Sequence, residues 1–206
     1  PGNVVKSKLI ARGVKEDVLL ESRLLSPGRD GRESFDFFRS RVVFPIMDTR
    51  GRPVAFGGRI MGTGEPKYLN SADTPLFHKG HMLYGLHMAR GPAAEAREII
   101  VVEGYMDVIA LVQAGFHNVV APLGTAMTEA QIKLLWRTAR EPVLCFDGDA
   151  AGQKAALRVA ERALPILNPG FSLRFTMMPP GEDPDDICRR RGSGAMNEFL
   201  AQALPL

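Results

Sequence analysis

Cysteine is scarce, with only Cys145 and Cys188 in 206 residues. Neither sits in a CxxC or Cys/His spacing, which argues against a zinc module or a disulfide framework and fits a reducing compartment. Cys145 falls inside an apolar run and reads as a small core residue. Histidine is scarce too. His78, His81, His87 and His117 are scattered, and no Ser/His/Asp or Cys/His nucleophile set forms. No apolar run reaches membrane-spanning length, and no basic-plus-apolar leader opens the chain, so a cytoplasmic protein is expected. Internal repeats and low-complexity tracts are absent as well.

What is present is an ordinary globular composition, 45% hydrophobic and 24% charged. The net charge of +3 hides an asymmetry. Residues 1–95 carry 15 Lys+Arg against 10 Asp+Glu, whereas residues 96–206 carry 11 against 13. A basic first half suits a polyanion such as nucleic acid, and an acidic second half suits metal cations. On charge alone, solvated surface is the favoured explanation of both halves.

The second half alternates short apolar runs with amphipathic ones. Strands are predicted in 97–104, 117–124, 142–149 and 171–180, and helices in 105–115, 128–139, 150–167, 183–192 and 193–204. Thr128 with Gln131 opens one helix as a capping box. Near-continuous apolar strands in a βαβαβαβα order indicate a parallel sheet covered on both faces. The first half reads as a smaller α+β unit. It has a helix leading into a strand over 14–25, then two strands over 41–60 joined by a turn at Asp48–Arg52 containing Gly51. The seam is placed at 90–98. The expected fold class is therefore α/β, with a mostly parallel sheet flanked by helices and a smaller α+β subdomain before it.

Chemistry in open α/β sheets collects at the carboxyl ends of strands. Three strand ends here carry acids. Glu103 ends the first, with Asp107 four residues on. Asp147 and Asp149 end the third, and Glu182, Asp183 and Asp185 follow the fourth. Asp149 could simply cap the next helix. One cap does not account for the set. Alternate residues of an extended strand point the same way, so Asp147 and Asp149 are expected to converge. Close carboxylates are costly unless a cation lies between them. Oxygen donors at this density suit Mg²⁺ or Mn²⁺, the usual metals of phosphoryl transfer.

These residues resemble a known family. "VVEGYMDVIAL" followed by "CFDGDAAGQKAA" is similar to the Toprim domain. "FRSRVVFPIMDTRGRPVAFGGRI", "PKYLNSADTPLFHKGHMLYGL" and "GEDPDDI" resemble the catalytic core of bacterial DnaG-type DNA primases, from about Val4 to Leu200. The resemblance implies a DNA-templated RNA polymerase that makes short primers by metal-dependent nucleotidyl transfer. It implies Glu103, Asp147 and Asp149 as catalytic residues, and Glu103, Asp107, Asp147, Asp149, Asp183 and Asp185 as the metal-binding set. Arg39, Arg41, Arg59, Lys67, Tyr68, Asn70 and Lys79 match segments that the family uses to hold template and nucleotide. The implied partners are a single-stranded DNA template, ribonucleoside triphosphates and the replicative helicase, the last through a region expected to follow this chain. A monomer is expected, with zinc only in a module expected before it. The implied division is 1–95 as the basic N-terminal subdomain and 96–206 as the Toprim domain with the start of a C-terminal helical segment.

Other readings stay open on the residues alone. A Toprim nuclease or topoisomerase would use the same acids, though Tyr68, Tyr84 and Tyr105 have no nucleophile setting. A non-catalytic DNA-binding module would not need every acid. A response-regulator-like domain leaves the basic loops unexplained.

Overall fold

Beta-branched and aromatic residues in "RVVFPIM" and "PVAFGGRI", on either side of a glycine-containing turn, draw residues 41–60 of the first half into a hairpin. The computed structural model describes residues 3–28, 31–124 and 126–206. They group into two compact units, residues up to Met47 with Arg52–His78, and Asp48–Gly51 with Lys79–Leu206. The first unit contains helices α1 (Val4–Ile10) and α2 (Glu16–Glu21), and the paired strands β1 (Leu25–Ser26) and β2 (Phe35–Asp36). An antiparallel sheet of β3 (Arg41–Met47), β4 (Pro53–Ile60) and β5 (Tyr68–Asn70) completes it. The β3–β4 turn closes through the Gly51 amide on the Asp48 carbonyl (3.0 Å), with Gly51 at φ 77°. That left-handed conformation is why the turn carries a glycine. Buried Asp36 caps α1 by accepting from the Val5 and Lys6 amides (2.8 and 2.9 Å).

In the second unit, β6 (Leu83–Tyr84) precedes α3 (Leu86–Ala96). Then come β7 (Ile100–Val101), α4 (Tyr105–Gln113), β8 (Val119–Pro122), α5 (Glu129–Trp136), β9 (Val143–Phe146), α6 (Ala150–Ala163), β10 (Arg174–Met177), α7 (Pro184–Ala201) and β11 (Leu204–Pro205). The six strands lie in the order β11-β10-β9-β7-β8-β6, with β10, β9, β7 and β8 parallel. Side chains alternate strictly between the faces. Val101, Val120, Leu144 and Phe146 join the apolar cluster that includes residues of α3, α5 and α6. Ile100, Val119, Val143 and Cys145 join the cluster with α4 and α7. Burial on both faces explains why these strands are apolar throughout.

The expected mixed α/β architecture is thus present, with the mostly parallel sheet flanked by helices and a small domain before it. Three local features differ from the sequence reading. The antiparallel edge strands β6 and β11 are two residues long, too short to carry a periodic signal. The helix expected over 193–204 stops at Ala201, and Leu204 instead pairs with β10. The last two predicted helices join as α7 across a kink at Gly192 (φ 78°). No helix among the described residues is long and apolar enough to cross a membrane.

Candidate active site

The strand order places a reversal at the centre of the sheet. From β7 the chain moves to β8 on one side, then crosses back to β9 on the other. Such a reversal opens a crevice at the carboxyl ends of the two strands. Glu103 lies two residues past β7, and Asp147 directly follows β9. The two meet there, with Glu103 Oε1 accepting the Asp147 amide at 2.9 Å.

Helix starts place the other acids. Asp107 sits in the first turn of α4, where Oδ2 accepts the Gly104 amide (3.1 Å). Asp149 is the N-cap of α6 and accepts from the Gly152 amide (2.7 Å). Asp183 caps α7 in the same way through the Asp186 amide (2.7 Å). Asp185 stands in the first turn of α7. Three helix N-termini thus point their positive ends at an acidic cluster. Glu182 is committed elsewhere, to Arg190 and Arg191.

Gly148, between the two aspartates, was not singled out from sequence. Its amide donates to the Glu182 carbonyl (3.0 Å), and its own carbonyl accepts the Gly181 amide (2.9 Å). These bonds sew the loop after β9 to the loop after β10, which brings Asp147 and Asp183 into electrostatic range. A Cβ at Gly148 would overlap the Pro179 carbonyl, and one at Gly152 would overlap the Asp147 carbonyl. The glycine flanked by two aspartates was the available signal. Its cause is close backbone approach across sequence, which one strand cannot reveal.

The electrostatics follow from this crowding. Burial first, then the charges of Glu103, Asp107, Asp183 and Asp149, push the Asp147 carboxyl up to about 7. Burial and the charges of Asp183, Asp185 and Glu103 raise Asp107 to about 7, against the Gly104 amide. Burial also raises Glu103. Asp149 acts on Asp147 more weakly than the acids of neighbouring strand ends, because its side chain turns to the α6 amides. Asp147 Oδ1 is buried with no hydrogen-bond partner among the described residues. Among the described residues no three His, Cys, Asp or Glu side chains already stand in a metal-holding arrangement. An orphaned carboxylate oxygen among mutually repelling acids still fits a hard divalent cation, which would satisfy the oxygen and cancel the repulsion.

The basic candidates divide by unit. In the first, the β-sheet register aligns Val42, Arg59 and Tyr68 on one rung and Phe44, Gly57 and Asn70 two residues on. Residues so paired share a sheet face. Arg59, Tyr68 and Asn70 therefore lie together, beside exposed Val42. Arg41 is on the other face. Its guanidinium donates to the carbonyls of Pro66 (2.7 Å), Lys67 (3.2 Å) and Gly58 (3.3 Å), so it staples β3 to the approach to β5. Lys67 lies over the Tyr68 ring (5.8 Å), and Arg39 stacks on Phe35 (4.6 Å). In the second unit, exposed Lys79 opens a 3₁₀ turn. The Thr128–Gln131 capping box fixes this turn from below. Gln131 Nε2 donates to the Lys79 and Met82 carbonyls (3.0 and 2.9 Å), and Thr128 Oγ1 donates to the Gly80 carbonyl (2.5 Å).

Known proteins are similar to this chain in sequence and in fold. The family described as DNA primase catalytic core, N-terminal domain, matches residues 2–90, and the Toprim domain matches residues 97–176. A DNA primase of Pseudomonas aeruginosa is 52% identical over 91% of this chain and 28% of its own length. The DNA primase of Escherichia coli is 49% identical over 91% of this chain and 32% of its own length. The chain thus spans less than a third of these curated relatives. A crystal structure of a DNA primase domain from Pseudomonas aeruginosa superposes with a TM-score of 0.90 at 49% identity, over 96% of this chain and 63% of that one. A DnaG primase catalytic domain bound to ssDNA superposes at 0.89 with 43% identity, over 100% and 64%. The two family matches together take in most of the chain, and with relatives about half identical over nine-tenths of it they show that the chain belongs to the DnaG-type DNA primase family.

Proposed function

We infer that this chain is the central part of the catalytic core of a DNA primase, a DNA-templated RNA polymerase that makes short RNA primers for replication. Its reaction is nucleotidyl transfer. A 3′-hydroxyl attacks the α-phosphate of an incoming ribonucleoside triphosphate, and pyrophosphate leaves. The observation that carries the reading is the meeting of Glu103 and Asp147 at the sheet reversal, with Asp147 Oδ1 buried and unpartnered. Asp107, Asp147, Asp149, Asp183 and Asp185 would hold one or two Mg²⁺ or Mn²⁺ ions. When bound, such ions acidify an attacking oxygen and neutralise the leaving group. Glu103 uses Oε1 to hold the Asp147 amide, and its raised pKa suits Oε2 to receive the hydroxyl proton.

Residues 1–95 would hold template and nucleotide, and residues 96–206 the metals. The face bearing Arg59, Tyr68 and Asn70 offers a cation, a stacking ring and an amide to a single strand without reading its sequence. Lys79, on its braced turn, would meet the triphosphate. The single-stranded DNA held by the related catalytic domain supports a DNA template as partner. The whole protein would work in the bacterial cytoplasm as a monomer and reach the replicative helicase through a region outside this chain.

The test is primer synthesis on a single-stranded template by the whole parent protein, with Glu103→Gln and Asp147→Asn introduced singly. Each should abolish ribonucleotide incorporation while leaving the protein folded. Full activity in either variant would remove these acids from the chemistry.

A further inference from the structure

A cavity of about 500 Å³ lies in the second unit beside the acidic site, between α6 and the carboxyl ends of β7 and β9. Its size is that of a pocket for one small organic molecule. Leu144, Phe146, Met127 and Val159 give it an apolar wall. Its charged groups are few and segregated. Lys154 and Arg158, one helical turn apart on the exposed side of α6, form its cationic rim, and Glu103 stands on its wall. Arg162 donates to the Met127 carbonyl and ties that part of the wall to α6. The nucleotidyl-transfer reading assigns a role to Glu103 and leaves the rest of this cavity without one.

We propose that this cavity binds a small amphipathic anion, an apolar ring or short chain bearing one carboxylate, phosphate or sulfonate. The apolar body fills the space over Leu144 and Phe146, and the anion lies between the Lys154 ammonium and the Arg158 guanidinium. A neutral apolar ligand would leave both cations unused. A cation would meet them at the rim. A bound anion sets its charge against Glu103, so the site is placed to act on the acid that holds the Asp147 amide.

Titration of the chain with anilinonaphthalene sulfonate in metal-free, nucleotide-free buffer tests this independently of primer synthesis. The expected result is saturable one-to-one fluorescence enhancement. Lys154→Ala/Arg158→Ala should weaken it roughly tenfold, as expected for losing ~1.4 kcal/mol of ionic contact. Glu103→Gln, which removes an anion from the wall, should tighten it several-fold. Ala155→Phe, which fills the cavity, should abolish it. Ala151→Trp at the mouth serves the same purpose should Ala155→Phe not fold, as judged by circular dichroism. The proposal is overturned by absence of binding to the wild-type chain, by unchanged affinity in the double alanine variant, by weaker binding in Glu103→Gln, or by undiminished binding in a folded cavity-filling variant.

Discussion

Asp147→Asn should stabilise the metal-free protein above neutral pH and leave it unchanged in acid. Burial and the neighbouring acids push the wild-type carboxyl up to about 7 in the fold, against 3.8 for an unperturbed aspartate. A carboxyl raised on folding favours the protonated form, so its penalty is absent below about pH 4, grows between 4 and 7, and is complete above 7. Three pH units at ~1.4 kcal/mol each set a ceiling of ~4 kcal/mol. The side chain is half-buried and shares its field with Asp107, so screening trims the expected gain to ~2–3 kcal/mol at pH 8. Asparagine keeps the shape and removes the charge. Its amide also gives the buried Oδ1 position a donor or an acceptor to offer its neighbours. Urea unfolding of both proteins at pH 4, 6 and 8 in chelator measures the difference. A loss of stability at pH 8, or an offset of one size at all three pH values, would refute the argument, because a like-charge penalty must vanish once the carboxyl is protonated.

Three further outcomes follow from the same geometry. Mn²⁺ at about a hundred times its dissociation constant should stabilise the wild-type chain by ~2.7 kcal/mol. Thermal unfolding should show the gain lost in Asp147→Asn/Asp183→Asn, and an equal shift in that variant would place the ion elsewhere. Gly148→Ala should cost at least ~2 kcal/mol in urea unfolding, because its Cβ meets the Pro179 carbonyl backbone, which cannot step aside. Tyr68→Ala should weaken single-stranded DNA binding by ~1–3 kcal/mol with little change in salt dependence, whereas Arg59→Ala should lower the salt slope by about 0.7. Fluorescence anisotropy at several salt concentrations separates the two.

Much of the second unit was legible because its strands are buried on both faces. "IIVV", "VVAP" and "VLCF" could be strands of only one kind, and the amphipathic runs between them only their covering helices. The edge strands were hidden for the opposite reason. Leu204–Pro205 earns its place by pairing with β10, through a register that nothing in those two residues announces. Arg41 and Arg59 illustrate the limit at single residues. Both are arginines of the same hairpin, and both read as phosphate ligands. Strand parity puts them on opposite faces, where one grips three carbonyls and the other faces solvent.

The acids show why a spacing pattern and a site are different things. Asp147 and Asp149 invite the idea of a convergent pair, because alternate residues of a strand share a side. The strand ends at Phe146, however, and Asp149 already belongs to a helix cap. What crowds Asp147 is the sheet order. By setting β9 beside β7 and β10, the reversal gathers acids from positions 103, 107 and 183 around one carboxyl. Local chemistry thus supplies the acids one strand end at a time, and only the crossover from β8 to β9 turns them into a single centre. A permuted chain that kept every acid but exchanged the order of β8 and β9 would keep the motifs and lose the raised carboxyl.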